Sequence, residues 1–437
     1  MTEDVDVVVV GARCAGSSTA ITLARAGRRV VALDKAQFPS DTVSTHLLWP
    51  AGLAELQRLG ALPAVSALGA PPLPIAYAAG AGFEVRTGFS PVEGIAHAMC
   101  VRRTGLDAAL VDTARRVGVD VREHATVTEL LRVADRVAGV RYVDRSGESH
   151  EVRASVVVGA DGRRSTIARL VGTQHPRRSS ASGRACYYGY WRDQNLSWRD
   201  TAAQWREGQE LGTAFPCDDG LVLVLLQPPI DRVSEFRGDV EGAYLRSIEA
   251  IPGLAKRLVG SELIGGVRSA SDITSYFRRS HGPGWALVGD AGHFKDPVTA
   301  QGIRDALRYG RLLGETIHAT LGSSEVGSAL RRWERTRDRE CYEVYQWTNR
   351  LARGDAMSQL EVELYRAASR DPSLARQMTD VFSRIRRPAE LITPRRALGL
   401  AQQAMRNADH RVDVLRTITR EVGIAVSDSV ARSTSCR

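Results

Sequence analysis

Three aspartates stand where a short apolar segment ends, which is where a carboxylate can reach a polar ligand. Asp34 follows a valine-rich segment, Asp161 lies in a Gly-Ala-Asp-Gly turn, and Asp290 follows a glycine. A carboxylate at the end of a strand can accept hydrogen bonds from the hydroxyl groups of a ribose. Asp34 and Asp290 are therefore candidate ribose acceptors. Asp161 fits either a polar ligand or a turn that its own side chain closes.

The first of these aspartates ends a pattern of strand, glycine turn, helix and strand. Residues 5–10 are rich in valine, Gly11 and Gly16 bracket a tight turn, and residues 17–26 are small and apolar. Unpaired N–H groups at a helix N-terminus attract a pyrophosphate, so the unit predicts a dinucleotide site. A βαβ unit that binds nothing is the alternative. Arg13 replaces the second glycine of G-x-G-x-x-G and either points away from the ligand or neutralises its phosphates.

A second helix N-terminus is predicted close to Asp290. The segment 285–288 reads as a strand, and Pro297–Gly302 begins a helix whose one face is small and apolar. Small residues on that face are expected to allow close packing against a neighbour. The free N–H groups of its first turn predict contact with an electron-rich ligand atom.

Composition and charge exclude several classes of protein. The 437 residues carry a net charge of +9, but the basic residues are scattered, so we predict no nucleic-acid partner. The six cysteines form no C-x-x-C pair, which predicts free thiols and no metal centre. No leader pattern and no apolar run of about 18 residues is present, which predicts a cytoplasmic protein without a membrane segment.

The order of these patterns predicts an α/β protein with three parts. Aromatic residues are concentrated over 187–215, which predicts a sheet whose aromatic face forms either core or a binding cleft. Residues 62–89 contain four prolines and are predicted to form strands and turns. The C-terminal region reads as arginine-rich helices that Pro388 and Pro394 break, with a frayed tail over 427–437. The parts are a Rossmann-like nucleotide-binding domain (1–60, 101–170 and 270–332), an inserted β-rich substrate domain (61–100 and 171–269) and a C-terminal helical segment (333–437).

The motifs occur in the order that one known family shows. The Gly11–Gly16 turn with Asp34, then Asp161, then Asp290 followed by Gln301-Gly302, resemble the flavoprotein monooxygenases of the para-hydroxybenzoate hydroxylase type. Flavin halogenases and geranylgeranyl reductases are related to these enzymes. Two departures are an alanine in place of the glycine usual before Gln-Gly and the absence of the W-x-W-x-I-P element of the halogenases, which counts against halogenation.

The resemblance implies an FAD cofactor and assigns its contacts residue by residue. Asp34 would bind the adenosine ribose, Arg103 would reach the phosphates or the ribityl chain, and Asp290 would bind the ribityl chain. Pro297 would lie beside the flavin ring, whose pyrimidine edge would face the N–H groups of the following helix. The implied cofactor contacts are Gly11, Ala12, Arg13, Ala15, Gly16, Asp34, Lys35, Arg103, Val127, Asp161, Gly289, Asp290, Pro297, Ala300, Gln301 and Gly302.

The resemblance also implies an activity. NAD(P)H would reduce FAD, and dioxygen would then hydroxylate or epoxidise an electron-rich aromatic or polycyclic molecule through a flavin C4a-hydroperoxide. Two alternatives stay open: a flavin-dependent reductase of carbon–carbon double bonds, and a basic flavin-containing protein that binds nucleic acid or an acidic partner. His46 is the candidate catalytic residue, because an imidazole transfers protons near neutral pH. Its structural alternative is to cap the segment 47–59.

Overall fold

The computed structural model describes residues 3–407 together with 419 and 423. The predicted tail, 427–437, and the end of the predicted C-terminal segment lie outside the described residues. The strands are β1 (Glu3–Val10), β2 (Val30–Leu33), β3 (Leu47–Leu48), β4 (Ile75–Gly80), β5 (Phe83–Thr87), β6 (Met99–Cys100), β7 (Asp120–Arg122), β8 (Thr126–Val133), β9 (Arg136–Val143), β10 (Ser149–Gly159), β11 (Arg178–Ala181), β12 (Cys186–Arg192), β13 (Thr201–Glu207), β14 (Glu210–Pro216), β15 (Leu221–Leu226), β16 (Glu262–Ala270), β17 (Thr274–Phe277), β18 (His281–Gly282), β19 (Trp285–Leu287) and β20 (His293–Phe294). The helices are α1 (Cys14–Arg25), α2 (Pro50–Arg58), α3 (Leu62–Ser66), α4 (Arg103–Arg116), α5 (Thr166–Leu170), α6 (Val233–Gly238), α7 (Val240–Glu249), α8 (Pro252–Arg257), α9 (Gly302–Thr320), α10 (Val326–Leu351), α11 (Gln359–Ala368), α12 (Pro372–Phe382), α13 (Pro388–Leu391) and α14 (Pro394–Asn407). Short 3-10 helices cover Leu196–Trp198, Ile230–Arg232, Gly289–Ala291 and Pro297–Thr299.

A sheet with a parallel centre forms the core of the first domain. Its strands lie in the order β18-β19-β10-β1-β2-β7, and the hairpin β8-β9 joins it at β10. β1 pairs in parallel with β2 and β10, and β10 pairs in parallel with β19. Parallel strands point the same way, so the turns that follow them meet at one edge of the sheet. The glycine turn, Asp34, Asp161 and Asp290 therefore come together there, and the α/β prediction with a Rossmann-like domain is confirmed.

Helices α1 and α9 approach closely because small residues face each other. A Cβ atom on Gly310 would lie 2.6 Å from the carbonyl oxygen of Ala15, and one on Gly314 would lie 2.8 Å from Cβ of Thr22. The Ser18 hydroxyl donates to the carbonyl oxygen of Leu307 at 2.6 Å. The close packing predicted for the helix that begins near Gly302, which is α9, is confirmed. It also brings the start of α9 close to the glycine turn.

A second, mostly antiparallel sheet has the order β16-β12-β15-β14-β13-β4-β5. Helices α6, α7 and α8 cover one face, and the other face packs towards the first domain. This confirms the predicted aromatic-rich sheet. The prediction of strands and turns throughout 62–89 is wrong at its start, where Leu62–Ser66 is α3. Pro63 tolerates the first turn of a helix, and Val65 packs into the core of the first domain.

The C-terminal helices α10–α14 confirm the predicted helical character of that region as far as residue 407. The helical run is interrupted ahead of Pro388 and ahead of Pro394, as predicted. Each proline then begins the next helix, because the missing N–H of proline costs nothing at a first helical position. The five cysteines among the described residues are buried and unbridged. Among those residues, no helix combines the length and apolar composition that crossing a membrane requires.

Candidate active site

A cleft of about 470 Å³ lies at the edge where the parallel strands end; we call it the strand-end cleft. It is bordered by the turns after β1, β2 and β10, by the starts of α4 and α9, and by residues 42–45. The candidate contacts that line it are Gly11, Arg13, Ala15, Lys35, Asp34, Arg103, Val127, Asp161, Asp290, Pro297, Ala300 and Gly302. Most of the residues that the sequence singled out are thus brought together in one place.

Four candidate contacts lie beside the lining. The Ala12 N–H donates to Asp34, and Gly289 takes a left-handed conformation with φ of 60°. Gly16 lies under the turn, where a Cβ atom would come within 1.7 Å of the carbonyl oxygen of Gly11. The amide of Gln301 donates to the carbonyl oxygen of Phe382 at 2.8 Å, away from the cleft. These positions shape the turns around the cleft.

Asp34 holds the glycine turn in place. One carboxylate oxygen accepts from the Ala12 N–H at 2.7 Å, and the other accepts from the Ala36 N–H at 2.8 Å. The side chain still lines the strand-end cleft. Its position therefore serves both the turn and any hydroxyl group that enters the cleft.

A buried carboxylate, Asp107, joins three side chains at the floor of the cleft. Arg103 contacts both of its oxygens, at 2.9 and 2.8 Å, and Arg13 donates to it at 2.6 Å. The Cys14 thiol also donates to it, and burial raises the pKa of that thiol to about 12. Arg13 is held further by the Ser40 hydroxyl at 2.9 Å. Asp107 is absent from the residues predicted to form the site, although a basic and an acidic residue four positions apart on a helix are a recognised signal for an ion pair.

Asp161 acts as a local cap as well as a cleft residue. It accepts from the Ser165 hydroxyl at 2.5 Å and from the Ile167 N–H at 3.1 Å, so it holds the start of α5. Burial raises the pKa of its carboxyl group. Arg163 and Arg164, which follow it, also line the cleft.

Asp290 is the carboxylate in the cleft that has most need of a ligand. Among the described residues, no hydrogen bond reaches its side-chain oxygens, although its backbone oxygen accepts from Tyr276 at 2.7 Å. Burial raises the pKa of this carboxyl group, and Arg163 and Arg103 oppose the rise. Asp290 is half-buried and lines the cleft, so a ligand that enters the cleft with hydroxyl groups would supply the donors that its carboxylate lacks.

A cluster of buried charges lies beneath the start of α9. Lys295 and Arg304 both bond to Asp305, and His293 and the Cys341 thiol lie close enough to share a cation with it. Burial alone would raise the pKa of Asp305, yet Lys295 holds that pKa well below its usual range. Burial and then Lys295 lower the pKa of His293. Two cations on one carboxylate oppose a divalent metal there, and the absence of a metal centre stays a prediction.

His46 is fully buried and lies outside the cleft lining, next to Thr45, which belongs to it. Its Nδ1 lies 2.7 Å from the Ser44 carbonyl oxygen, and its Nε2 lies 2.8 Å from the Tyr190 hydroxyl. Burial lowers the pKa of the ring to about 4, so it is neutral at pH 7. Because both ring nitrogens have hydrogen-bond partners, His46 fits either of two roles. It can be a packed core residue, or it can belong to a proton path through Tyr190.

A second cavity of about 570 Å³ lies between the loop Asp296–Ala300 and the C-terminal helices; we call it the helix-side cavity. The second sheet contributes Gln204, Arg206 and Leu211, and the loop contributes Val298. Helices α10–α14 supply most of the rest, including Trp347, Leu351, Leu360, Leu364, Met378 and Leu400. Because Pro297 and Ala300 line the strand-end cleft, one short loop borders both spaces.

The comparisons with known proteins decide the family. A family model described as an FAD binding domain matches residues 4–212. The menaquinone reductase of Mycolicibacterium smegmatis is 30% identical over 336 residues, which are 71% of this chain and 75% of that protein. The chain belongs to this family of FAD-dependent oxidoreductases. The resemblance stated from the motifs, and the enzyme class that it implied, are confirmed.

Two further matches of this FAD-dependent oxidoreductase extend over most of its length. The digeranylgeranylglycerophospholipid reductase 1 of Methanopyrus kandleri is 28% identical and covers 79% of this chain and 89% of its own. The solved structure of the myxobacterial chondrochloren halogenase CndH has a TM-score of 0.73 at 24% identity, and covers 91% of this chain and 97% of its own. This structural likeness supports the shared fold.

The residues of the strand-end cleft fit FAD. Asp290 offers a carboxylate without a hydrogen-bond partner among the described residues, and Arg103 offers a buried cation. A Cβ atom on Gly302 would meet nothing within 4 Å, so the start of α9 faces open space. Hydroxyl groups, phosphates and an electron-rich ring edge are the ligand groups that such acceptors and donors require.

We expect Asp290→Ala to weaken FAD binding tenfold or more, because a hydrogen bond to a charged group contributes about 1.5–3 kcal/mol. Titration of the apoprotein with FAD, followed by quenching of flavin fluorescence, measures the Kd. Asp272→Ala is the matched control, since Asp272 is an exposed aspartate next to the cleft residue Ile273. An unchanged Kd in Asp290→Ala would remove Asp290 from the cofactor contacts.

Proposed function

We propose that this FAD-dependent oxidoreductase uses NAD(P)H to saturate carbon–carbon double bonds of an elongated, largely apolar small molecule. The observation that carries the proposal is the helix-side cavity, whose lining is mainly aliphatic and aromatic and whose wall is the loop that also borders the strand-end cleft. An apolar molecule in that cavity lies one loop away from the cofactor site.

The curated relatives support the same reaction class. One is named for the reduction of menaquinone and another for the reduction of digeranylgeranylglycerophospholipid. A quinone and an isoprenoid lipid are both substrates that an apolar cavity would hold by burial of hydrocarbon, at about 25 cal/mol for each Å² removed from water. The polar end of the cavity, where Arg206 and Glu361 pair at 2.8 Å, suits the oxygen-bearing head of such a molecule.

FAD, when bound, supplies hydride transfer. The chain itself would bind and orient this group: Arg103 would lie towards its phosphates, Asp34 and Asp290 would accept from its hydroxyl groups, and Pro297 would contact its ring. The N–H groups at the start of α9 would stabilise negative charge on an electron-rich edge of that ring. The apolar side chains of the helix-side cavity exclude water from the reacting carbon atoms.

Oxygenation of an electron-rich aromatic or polycyclic molecule by dioxygen is the second candidate function. The hydrogen bond between His46 and Tyr190 favours it. The neutral imidazole can accept a hydrogen bond from the Tyr190 hydroxyl, which would orient the tyrosine oxygen to accept a hydrogen bond from the hydroxyl group of a phenolic substrate. His46 is then the proposed catalytic residue, which acts through Tyr190.

Turnover without dioxygen separates the two functions. With NAD(P)H in excess and menaquinone as the probe, we expect repeated turnovers to a product that has gained two hydrogen atoms per saturated bond. The measurement is product mass together with NAD(P)H consumption in an anaerobic cell. An oxygenase would reduce its flavin once and stop, and would resume with an oxygen-containing product when air is admitted.

Variants locate the reaction. Leu351→Trp fills the helix-side cavity and should lose anaerobic turnover while keeping FAD, whereas Leu196→Trp, at a site 75% exposed, should behave as wild type. His46→Gln should lower oxygen-dependent turnover about 10²–10⁴-fold if the second candidate holds. An anaerobic turnover rate in Leu351→Trp equal to that of the wild type would contradict the assignment of the cavity as the substrate site.

A further inference from the structure

One short segment contains more arginine than the lining of either cavity requires. Residues 384–396 read RIRRPAELITPRR, with five arginines and a single acidic residue. It joins α12 to the first turn of α14 and, with Leu398, forms what we call the outer strap (384–398). Among the described residues, nine large apolar side chains are exposed, and Ile385, Ile392 and Leu398 of the strap are three of them.

The outer strap has an inner and an outer side. Pro388, Leu391 and Ala397 line the helix-side cavity, and Leu400 continues this lining along α14. Ala389 and Ile392 line the cavity and are also exposed, so the cavity reaches the surface there. The strap therefore forms the rim through which an apolar molecule would enter.

The outer side of the strap carries positive charge beside apolar groups. The side chains of Arg386 and Arg387 are 41% and 70% exposed, although Arg386 lies 3.7 Å from Asp380 and Arg387 lies 2.9 Å from Glu390. Arg395 is exposed at the start of α14. Arg395 and Leu398 lie three positions apart, on one face of the helix. Ile385 and Leu398 are 42% and 61% exposed. Arginine next to exposed aliphatic side chains is the pattern of a surface that lies on an anionic bilayer.

We propose that the outer strap docks on an anionic lipid bilayer and lets an apolar substrate pass from the bilayer into the helix-side cavity. The inference rests on the proposed function, which supplies the apolar substrate that would pass from the bilayer. The phosphate groups of the bilayer would pair with the arginines, and the acyl chains would take the exposed aliphatic groups. Nucleic acid would satisfy the arginines but would leave those aliphatic side chains in water.

Sedimentation with vesicles tests the docking without any turnover. The holoenzyme should bind vesicles of equal parts phosphatidylcholine and phosphatidylglycerol, and should bind pure phosphatidylcholine much more weakly. Binding should fall as salt shortens the Debye length from about 10 Å at 0.1 M to about 3 Å at 1 M. Equal binding to both vesicles, no binding to either, or stronger binding to a single-stranded oligonucleotide than to the anionic vesicles would overturn the proposal.

Paired variants assign the binding to the strap. Arg387→Gln with Arg395→Gln should lower the partition coefficient about fivefold for each arginine and about 30-fold for the pair. Ile385→Ser with Leu398→Ser should weaken binding to the anionic vesicles. The control pair Val133→Ser with Leu196→Ser, 65% and 75% exposed and outside the strap, should not. FAD content and Tm show that each variant is folded. A control pair that weakens binding as much as the strap variants would overturn the assignment.

The outcomes separate this inference from the proposed function. Anaerobic turnover of a detergent-solubilised probe with no vesicle binding would reject the docking surface alone. Vesicle binding that depends on the strap, without anaerobic turnover, would support the surface and reject the reductase.

Discussion

Asp107→Ala is expected to lower the free energy of unfolding by about 3–5 kcal/mol, the usual cost of removing one partner of a buried ion pair. The Asp107 side chain is wholly buried and is shared by Arg103, Arg13 and the Cys14 thiol. Its loss would leave two guanidinium groups facing each other at the floor of the strand-end cleft. We therefore expect a lower midpoint of urea unfolding and a weaker hold on FAD.

Asp112→Ala is the matched control on the same helix. Asp112 is 67% exposed and pairs with Arg115 at 3.5 Å, so water screens the pair and its removal should change stability by less than about 1 kcal/mol. Urea denaturation of both variants, followed by tryptophan fluorescence, gives the comparison. Equal stability of Asp107→Ala and Asp112→Ala would show that the buried cluster is not a support of the fold.

Gly16→Ala should prevent the protein from folding around FAD. An added Cβ atom would lie 1.7 Å from the Gly11 carbonyl oxygen and 2.9 Å from its carbon, both of them backbone atoms that cannot turn away. The start of α1 would have to move off β1, and α1 also packs on α9. A loss above about 4 kcal/mol is expected, in the range where a single change removes most of the stability of a domain.

The control for this change is Gly327→Ala in α10. A Cβ atom there would meet nothing within 4 Å, so the change should be neutral or stabilise by up to about 1 kcal/mol through helix propensity. Yield, Tm and the flavin absorbance of the purified variants measure the difference. A Gly16→Ala protein that melts with wild-type Tm and carries FAD would contradict the close contact.

The sequence predicts the parts of the fold that local patterns determine. The valine run and glycine turn of β1 and α1 appear in their own periodicity, and so does the small apolar face of α9. The helix Leu62–Ser66 does not, because the prolines of 62–89 suggest turns, and its helical form is supported by packing of Val65 into the first domain. Tertiary contact outweighed local preference there.

In the candidate site too, the sequence predicts some features and not others. The positions of Asp34 and Asp290 follow from strand ends, which any parallel sheet brings to one edge. Hydrogen-bond partners do not, since the bond that Asp34 accepts from the Ala12 N–H of the glycine turn depends on exact backbone positions. The bond that the Gln301 amide donates to the Phe382 carbonyl oxygen depends on them in the same way. The lining of the helix-side cavity comes from helices that fold back from far along the chain, which no spacing in the sequence records.

The division of labour along the chain bears on how such proteins diversify. The strand-end cleft is assembled from segments spread over the first 306 residues, whereas helices α10–α14, one continuous stretch, supply most of the helix-side cavity. A single recombination event ahead of α10 would therefore exchange much of the cavity wall and leave the strand-end cleft intact. If the helix-side cavity holds the substrate, as proposed, substrate preference would change by inheritance of one block, without a compensating change in every residue of the cleft.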